Sequence, residues 1–147
     1  MRFNCCPIWV LVLAIMLAAL VAPQSARAQS TRPAVQKIDV NSFDQKRKEP
    51  DAVVLDVRTP HEYAAGHVPG AVNLDLHDPK FQEKVAALEK SKTYLVHCAM
   101  GVRSEAATKK MATLGFPRLF DFHGGFKAWQ NAHKPIEKGD AQGEQKK

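Results

Sequence analysis

Cysteine is scarce in this 147-residue chain: there are three, and Cys5 and Cys6 both stand within the first six residues. No C-x-x-C pair occurs, so a zinc ribbon or a dithiol redox motif is excluded. Aromatic residues make up only 7% of the chain, and no basic helix or aromatic platform suggests nucleic acid. Long hydrophobic runs are limited to one, the 15 residues 8–22, which falls short of the ~20 that a membrane span requires. Internal repeats are absent.

Arg2 supplies a positive start, the apolar run follows, and Ala26-Arg27-Ala28 forms a small-residue cleavage site. Residues 1–28 therefore read as a secretory signal peptide, with periplasmic or secreted localisation expected; the alternative is an uncleaved anchor. No cysteine follows the run, which disfavours a lipoprotein. Cleavage after Ala28 leaves residues 29–147, enough for one domain with a sizeable core and no membrane attachment. Loss of Arg2 and Arg27 reduces the formal charge of +6 to +4. The excess suits a small anionic substrate, though for the total charge ordinary solvated lysines are the preferred account.

After cleavage Cys98 is the only thiol, so no internal disulfide can form in an oxidising compartment. A lone thiol is either a small buried hydrophobe or a reactive group. Its surroundings favour the second. Residues 93–96, Thr-Tyr-Leu-Val, form a β-branched and aromatic run that reads as a buried strand. Cys98 stands at its end, Gly101 permits a tight turn, and Ala107, Met111 and Leu114 recur at helical spacing before Gly115 stops the helix. A loop curling into a helix start presents several backbone N–H groups and a partial positive charge to one point. A thiol there is stabilised as thiolate, the nucleophilic form, and a small anion fits the same cradle. Arg103 lies five positions after Cys98. This C-x4-R spacing is one residue short of the C-x5-R loop that holds a tetrahedral phosphate, which disfavours a phosphatase or arsenate reductase and favours attack on a sulfane sulfur.

The segment Cys98-Ala99-Met100-Gly101-Val102-Arg103-Ser104 resembles the C-x-x-G-x-R-S loop of single-domain rhodaneses, the thiosulfate sulfurtransferases. Leu55-Asp56-Val57-Arg58, Glu62, and residues 66–73 (G-H-V-P-G-A-V-N) resemble that family's D-V-R…E…G-H-I-x-G-A-x-N block. Residues 122–129 resemble its C-terminal G-G-x-x-x-W element, with Trp129 four residues after Gly125. The likeness covers about residues 38–132 and points to an exported bacterial type. It implies an α/β, three-layer fold whose five-stranded, mainly parallel sheet has the order 1-5-4-2-3, with helices on both faces.

The pattern along the chain agrees with alternating strands and helices. Residues 29–36 read as a flexible lead-in, residues 37–132 as the domain and residues 133–147 as a disordered polar tail. Strands are expected at 37–40, 52–57, 71–74, 93–96 and 118–122. Helices are expected from a cap at Asn41 or Ser42 to about Lys48, at 60–65 with Thr59 as cap, from a cap at Asp78 over 79–89, after the Cys98 loop, and at 126–131 with Trp129 inward. Asp56 and Arg58 end a strand, and ligands of parallel sheets bind at strand carboxyl ends. They either fix that turn or act in the site: Arg58 facing an anion, Asp56 bracing the loop or pairing with Arg103. The resemblance favours a site role for Arg58. Glu62 either bonds within its turn or orients Arg58. His67 is expected to pack in a turn. None of the six histidines shows a metal-ligand spacing, and His97 is expected to point away from Cys98.

The resemblance implies double displacement, with no cofactor or metal. Cys98 attacks thiosulfate, sulfite leaves, and the persulfide passes its sulfur to cyanide or a thiol. The N–H groups of Ala99, Met100, Gly101, Val102, Arg103 and Ser104 would bind the anionic donor, joined by the Arg58 and Arg103 side chains, with Asp56 and Glu62 in support. Arg103 is alternatively a brace to Asp56 or Glu62. Met100 and Val102 would tune acceptor choice. A persulfide carrier with a thiol-protein partner is the second expectation. A silent rhodanese-like interaction module is the third, disfavoured by the presence of Cys98.

Overall fold

The computed structural model describes residues 35–139. The expected signal peptide, nearly all of the lead-in and residues 140–147 lie outside them. Five strands, β1 (Gln36–Ile38), β2 (Ala52–Asp56), β3 (Val72–Asn73), β4 (Thr93–His97) and β5 (Leu119–Phe122), alternate with five helices, α1 (Val40–Lys46), α2 (Pro60–Ala65), α3 (Phe81–Ala86), α4 (Val102–Thr113) and α5 (Gly125–Asn131). The sheet order is β1-β5-β4-β2-β3, and every pairing is parallel.

Parallel sheets bury both faces, so their central strands carry apolar side chains in both directions. Val54, Leu95 and Phe120 pack on one face with Phe43 of α1, Tyr63 of α2 and Phe126 and Trp129 of α5. Their neighbours Leu55, Val96 and Leu119 pack on the other with Phe81 and Val85 of α3 and Ala107 and Met111 of α4. The period of two thus distributes the helices to both faces, as the resemblance implied. β2 and β4 run side by side, with Asp56 opposite His97. Their carboxyl ends therefore form one edge, and Cys98 lies there.

Several boundaries differ from the sequence expectation, each for a local reason. Val40 belongs to α1 and not to β1, because the Asp39 side chain accepts the Ser42 N–H at 2.8 Å and caps the helix. Asn41 and Ser42 are therefore helical and not caps. α3 begins at Phe81 and stops at Ala86, shorter than 79–89. Asp78 accepts from the Lys80 N–H and pairs with Lys84, so it shapes the preceding turn. The polar segment expected to be a loose tail from His133 is held to the domain as far as Gly139. Trp129 Nε1 donates to the Pro135 carbonyl at 2.7 Å. His67 and Glu137 exchange backbone bonds of 2.8 and 3.0 Å, and Gly139 N donates to the Ala64 carbonyl. A buried indole N–H and the backbone groups of the turn at Gly66 and His67 need partners, and this segment supplies them.

Candidate active site

Cys98 follows the last residue of β4 and is 2% exposed. The Gly101 N–H donates to its Sγ at 3.1 Å. Gly101 is the N-cap of α4 with φ of 104°, a left-handed conformation open to glycine. The Cys98 and Ala99 carbonyls are drawn outward by α5: Phe126 N donates to the first at 2.8 Å and Lys127 N to the second at 3.0 Å. A trans peptide sets its N–H opposite its C=O. The N–H groups of Ala99 and Met100 therefore face away from α5. Gly125 makes this approach possible, since a Cβ there would lie 2.9 Å from Ala99 C and O and closer still to the Cys98 carbonyl.

The other side of the loop is braced by charge. Arg103 meets Glu62 in a two-point fork, Nη1–Oε2 at 2.7 Å and Nη2–Oε1 at 2.8 Å. Glu62 also accepts from the Thr59 N–H and hydroxyl, completing the capping box of α2. The Arg103 guanidinium holds the Glu62 carboxyl down at about 2. In return, the Glu62 hydrogen bonds and, behind them, the Cys98 side chain push Arg103 above its ordinary range. Of the two expected braces, the structure places Arg103 on Glu62 and not on Asp56.

Asp56 instead holds Arg58. Both are buried, with Nε 2.9 Å from each carboxylate oxygen and Nη2 also 2.8 Å from the Gly66 carbonyl. The guanidinium lies 4.1 Å over the Phe126 ring. Asn73 Nδ2 bonds the Asp56 and Arg58 carbonyls, locking the end of β2. Arg58 also lines an open cavity of about 400 Å³ beside the loop, with Glu62, Ala65, Gly66, Ala99, Met100, Phe126, Lys127 and Gln130. Met100 and Val102 project outward, at 64% and 80% exposure.

His97 points to the face opposite Cys98, among Phe43, Phe122 and Phe126. Burial pushes it below the usual imidazole range and keeps it neutral. His67 stacks on Tyr63 in the turn after α2. Two features escaped the sequence reading. Lys127, seen only as part of the helix, edges the cavity. Asp121 is the other: 1% exposed on β5, it accepts the Ser104 hydroxyl at 2.6 Å beneath the start of α4. An acid within the apolar run Leu119-Phe120-Asp121-Phe122 was the available signal.

A parallel sheet whose β4 delivers a lone thiol into an amide-lined loop at a helix start defines a class. Residues 39–132 match the model of the Rhodanese-like domain, and the chain belongs to that family. Among its relatives are a sulfurtransferase of Allochromatium vinosum, 31% identical over 103 residues that span 69% of this chain and 94% of the relative, and the thiosulfate sulfurtransferase GlpE of Vibrio cholerae serotype O1, 31% identical over 101 residues, 68% and 92%. A solved rhodanese-related protein of Thermoplasma volcanium superposes with a TM-score of 0.62 at 30% identity, over 69% of this chain and 97% of that one. These relatives support a rhodanese-type sulfurtransferase.

Proposed function

We propose that this protein is a thiosulfate sulfurtransferase that carries sulfane sulfur as a persulfide on Cys98. The observation that carries the reading is the 3.1 Å bond from the Gly101 N–H to the Cys98 Sγ, inside a loop that runs into α4. A donor aimed at the sulfur, with the positive end of a 12-residue helix behind it, suits a sulfur that carries negative charge as the S–S bond forms and breaks.

In the first step the Cys98 thiolate attacks the outer sulfur of thiosulfate. The new S–S bond forms as the old one breaks, and its electron pair leaves with sulfite. No proton moves, so no general base is needed, in keeping with the neutral, buried His97. In the second step an acceptor anion attacks the terminal sulfur and Cys98 leaves as thiolate. Cyanide becomes thiocyanate; a thiolate becomes a persulfide anion. The Gly101 N–H and the positive end of α4 offset part of the repulsion between two anions, while Arg103, neutralised by Glu62, braces the loop. Arg58, neutralised by Asp56, shapes the adjoining wall more than it supplies charge.

Burial of Cys98 suits a small donor. A persulfide sets its outer sulfur about 2 Å further along the side chain, within easier reach of a larger acceptor. The cavity of about 400 Å³ beside the loop, lined by Ala99 and Met100 but not by Cys98 itself, is far roomier than cyanide needs, and its Phe126, Met100 and Ala65 wall is apolar. This favours a thiol acceptor, including a thiol on a partner protein as in a persulfide carrier. The signal-like residues 1–28 support action in the periplasm or outside the cell.

Thiocyanate formation from thiosulfate and cyanide tests the enzyme reading. Wild type should turn over and Cys98→Ser should not. A wild type that gains the persulfide without turnover on cyanide would act as a carrier.

A further inference from the structure

Ser104, fully buried in the first turn of α4, has one hydroxyl proton and two neighbours that can accept it. The Gly101 carbonyl is 3.0 Å away and Asp121 Oδ1 2.6 Å away. Asp121 Oδ2 has no partner among the described residues. We propose that Asp121 is a positioning residue for the Cys98 loop, setting through the Ser104 hydroxyl how firmly the Gly101 carbonyl is held. The proposal rests on the reading of Cys98 as the reactive thiol.

Gly101 lies on both sides of the problem. Its N–H is the donor to Cys98 Sγ, and its carbonyl also accepts the Glu105 N–H at 3.1 Å. The trans peptide that turns this carbonyl into α4 turns the Val102 N–H the other way. A carbonyl held by two donors thus fixes the amides on either side of a glycine that otherwise resists little rotation.

The proton count links this to the state of Asp121. When Asp121 is ionised, the Ser104 proton goes to the carboxylate, and the Gly101 carbonyl keeps only Glu105. The carboxylate also draws on the positive end of α4, the same field that reaches the Cys98 sulfur. When Asp121 is protonated, it donates to Ser104, and Ser104 donates to Gly101. The groups that face it are Lys37 on β1, Glu105 on α4 and His123 after β5. Lys37 is itself paired with Glu105 at 3.1 Å, which blunts its pull on Asp121. Burial raises the Asp121 carboxyl above the usual aspartate range. Protonation therefore comes at a higher pH than for a surface acid, and Cys98 is better supported on the acid side of that titration.

The test is the rate at which iodoacetamide alkylates Cys98, followed on its own peptide by mass spectrometry. Wild type, Asp121→Asn and Ser104→Ala are compared from about pH 4 to about pH 8. Asn mimics the protonated acid in size and neutrality. At neutral pH Asp121→Asn should react severalfold faster than wild type, and the ratio should fall toward one as pH is lowered. Ser104→Ala should react about tenfold slower than Asp121→Asn and show no such convergence. A ratio that stays constant with pH, or Ser104→Ala reacting as fast as Asp121→Asn, would overturn the proposal. Alkylation needs no sulfur donor, so failure here is distinct from failure of sulfur transfer, which thiocyanate formation reads separately.

Discussion

Arg103 and Glu62 meet fork to fork at 2.7 and 2.8 Å, joining the first turn of α4 to the first turn of α2 across 41 positions of sequence. The pair holds one wall of the loop, while α5 holds the other through the Cys98 and Ala99 carbonyls. The two braces make separable predictions.

Removing the Glu62 charge should loosen the guanidinium beside Cys98. Glu62→Gln is expected to lower kcat/KM for thiosulfate about tenfold. Stability should respond with a defined sign. Glu62 falls from 4.5 to about 2 on folding, so its contribution is complete above 4.5 and lost as pH drops through about 2. Denaturant melts of wild type and Glu62→Gln should therefore differ by a constant amount above pH 4.5 and converge between 4.5 and 2.

Gly125→Ala attacks the other brace. Its methyl would overlap the backbone of Cys98 and Ala99, atoms that cannot rotate away. Urea unfolding should show a loss of about 2 kcal/mol or more, with a loss of sulfur transfer that persists under conditions where the variant is fully folded.

Asp56 and Arg58 form a buried pair. Truncating one partner leaves the other charge uncompensated, so Asp56→Ala should destabilise the domain by about 3–5 kcal/mol. Arg58→Lys loses the planar fork that reaches Asp56 and Gly66 together, and should also be destabilised, by less. Chemical denaturation checks both.

Much of the sheet was legible because β2, β4 and β5 are nearly continuous apolar runs, which only a sheet covered on both faces requires. The Cys98 loop was legible because its turn glycine, arginine and following helix are local. Long-range choices were not. Whether Arg103 would reach Asp56 or Glu62 depended on where α2 lands, and Asp56 was already taken by Arg58 two residues on. The burial of Asp121 beneath α4 and the docking of Glu137 on His67 involve partners 17 and 70 positions away, with no periodicity to mark them. Val40 read as strand from its side chain, but the Asp39 cap made it helix.

Lys127 edges the cavity beside the loop and is exposed. If the acceptor is a thiol bearing a carboxylate, Lys127→Glu should raise its KM severalfold while changing the KM for cyanide less. Acceptor-varied kinetics at fixed thiosulfate would show the split, and should show its dependence on ionic strength.

The most direct test of the account is the mass of the peptide that contains Cys98 after brief exposure of the protein to thiosulfate. The account predicts one added sulfur atom on that thiol, removed by cyanide and never formed in Cys98→Ser. A thiol that stays at its original mass under excess thiosulfate, in a folded protein, would contradict it.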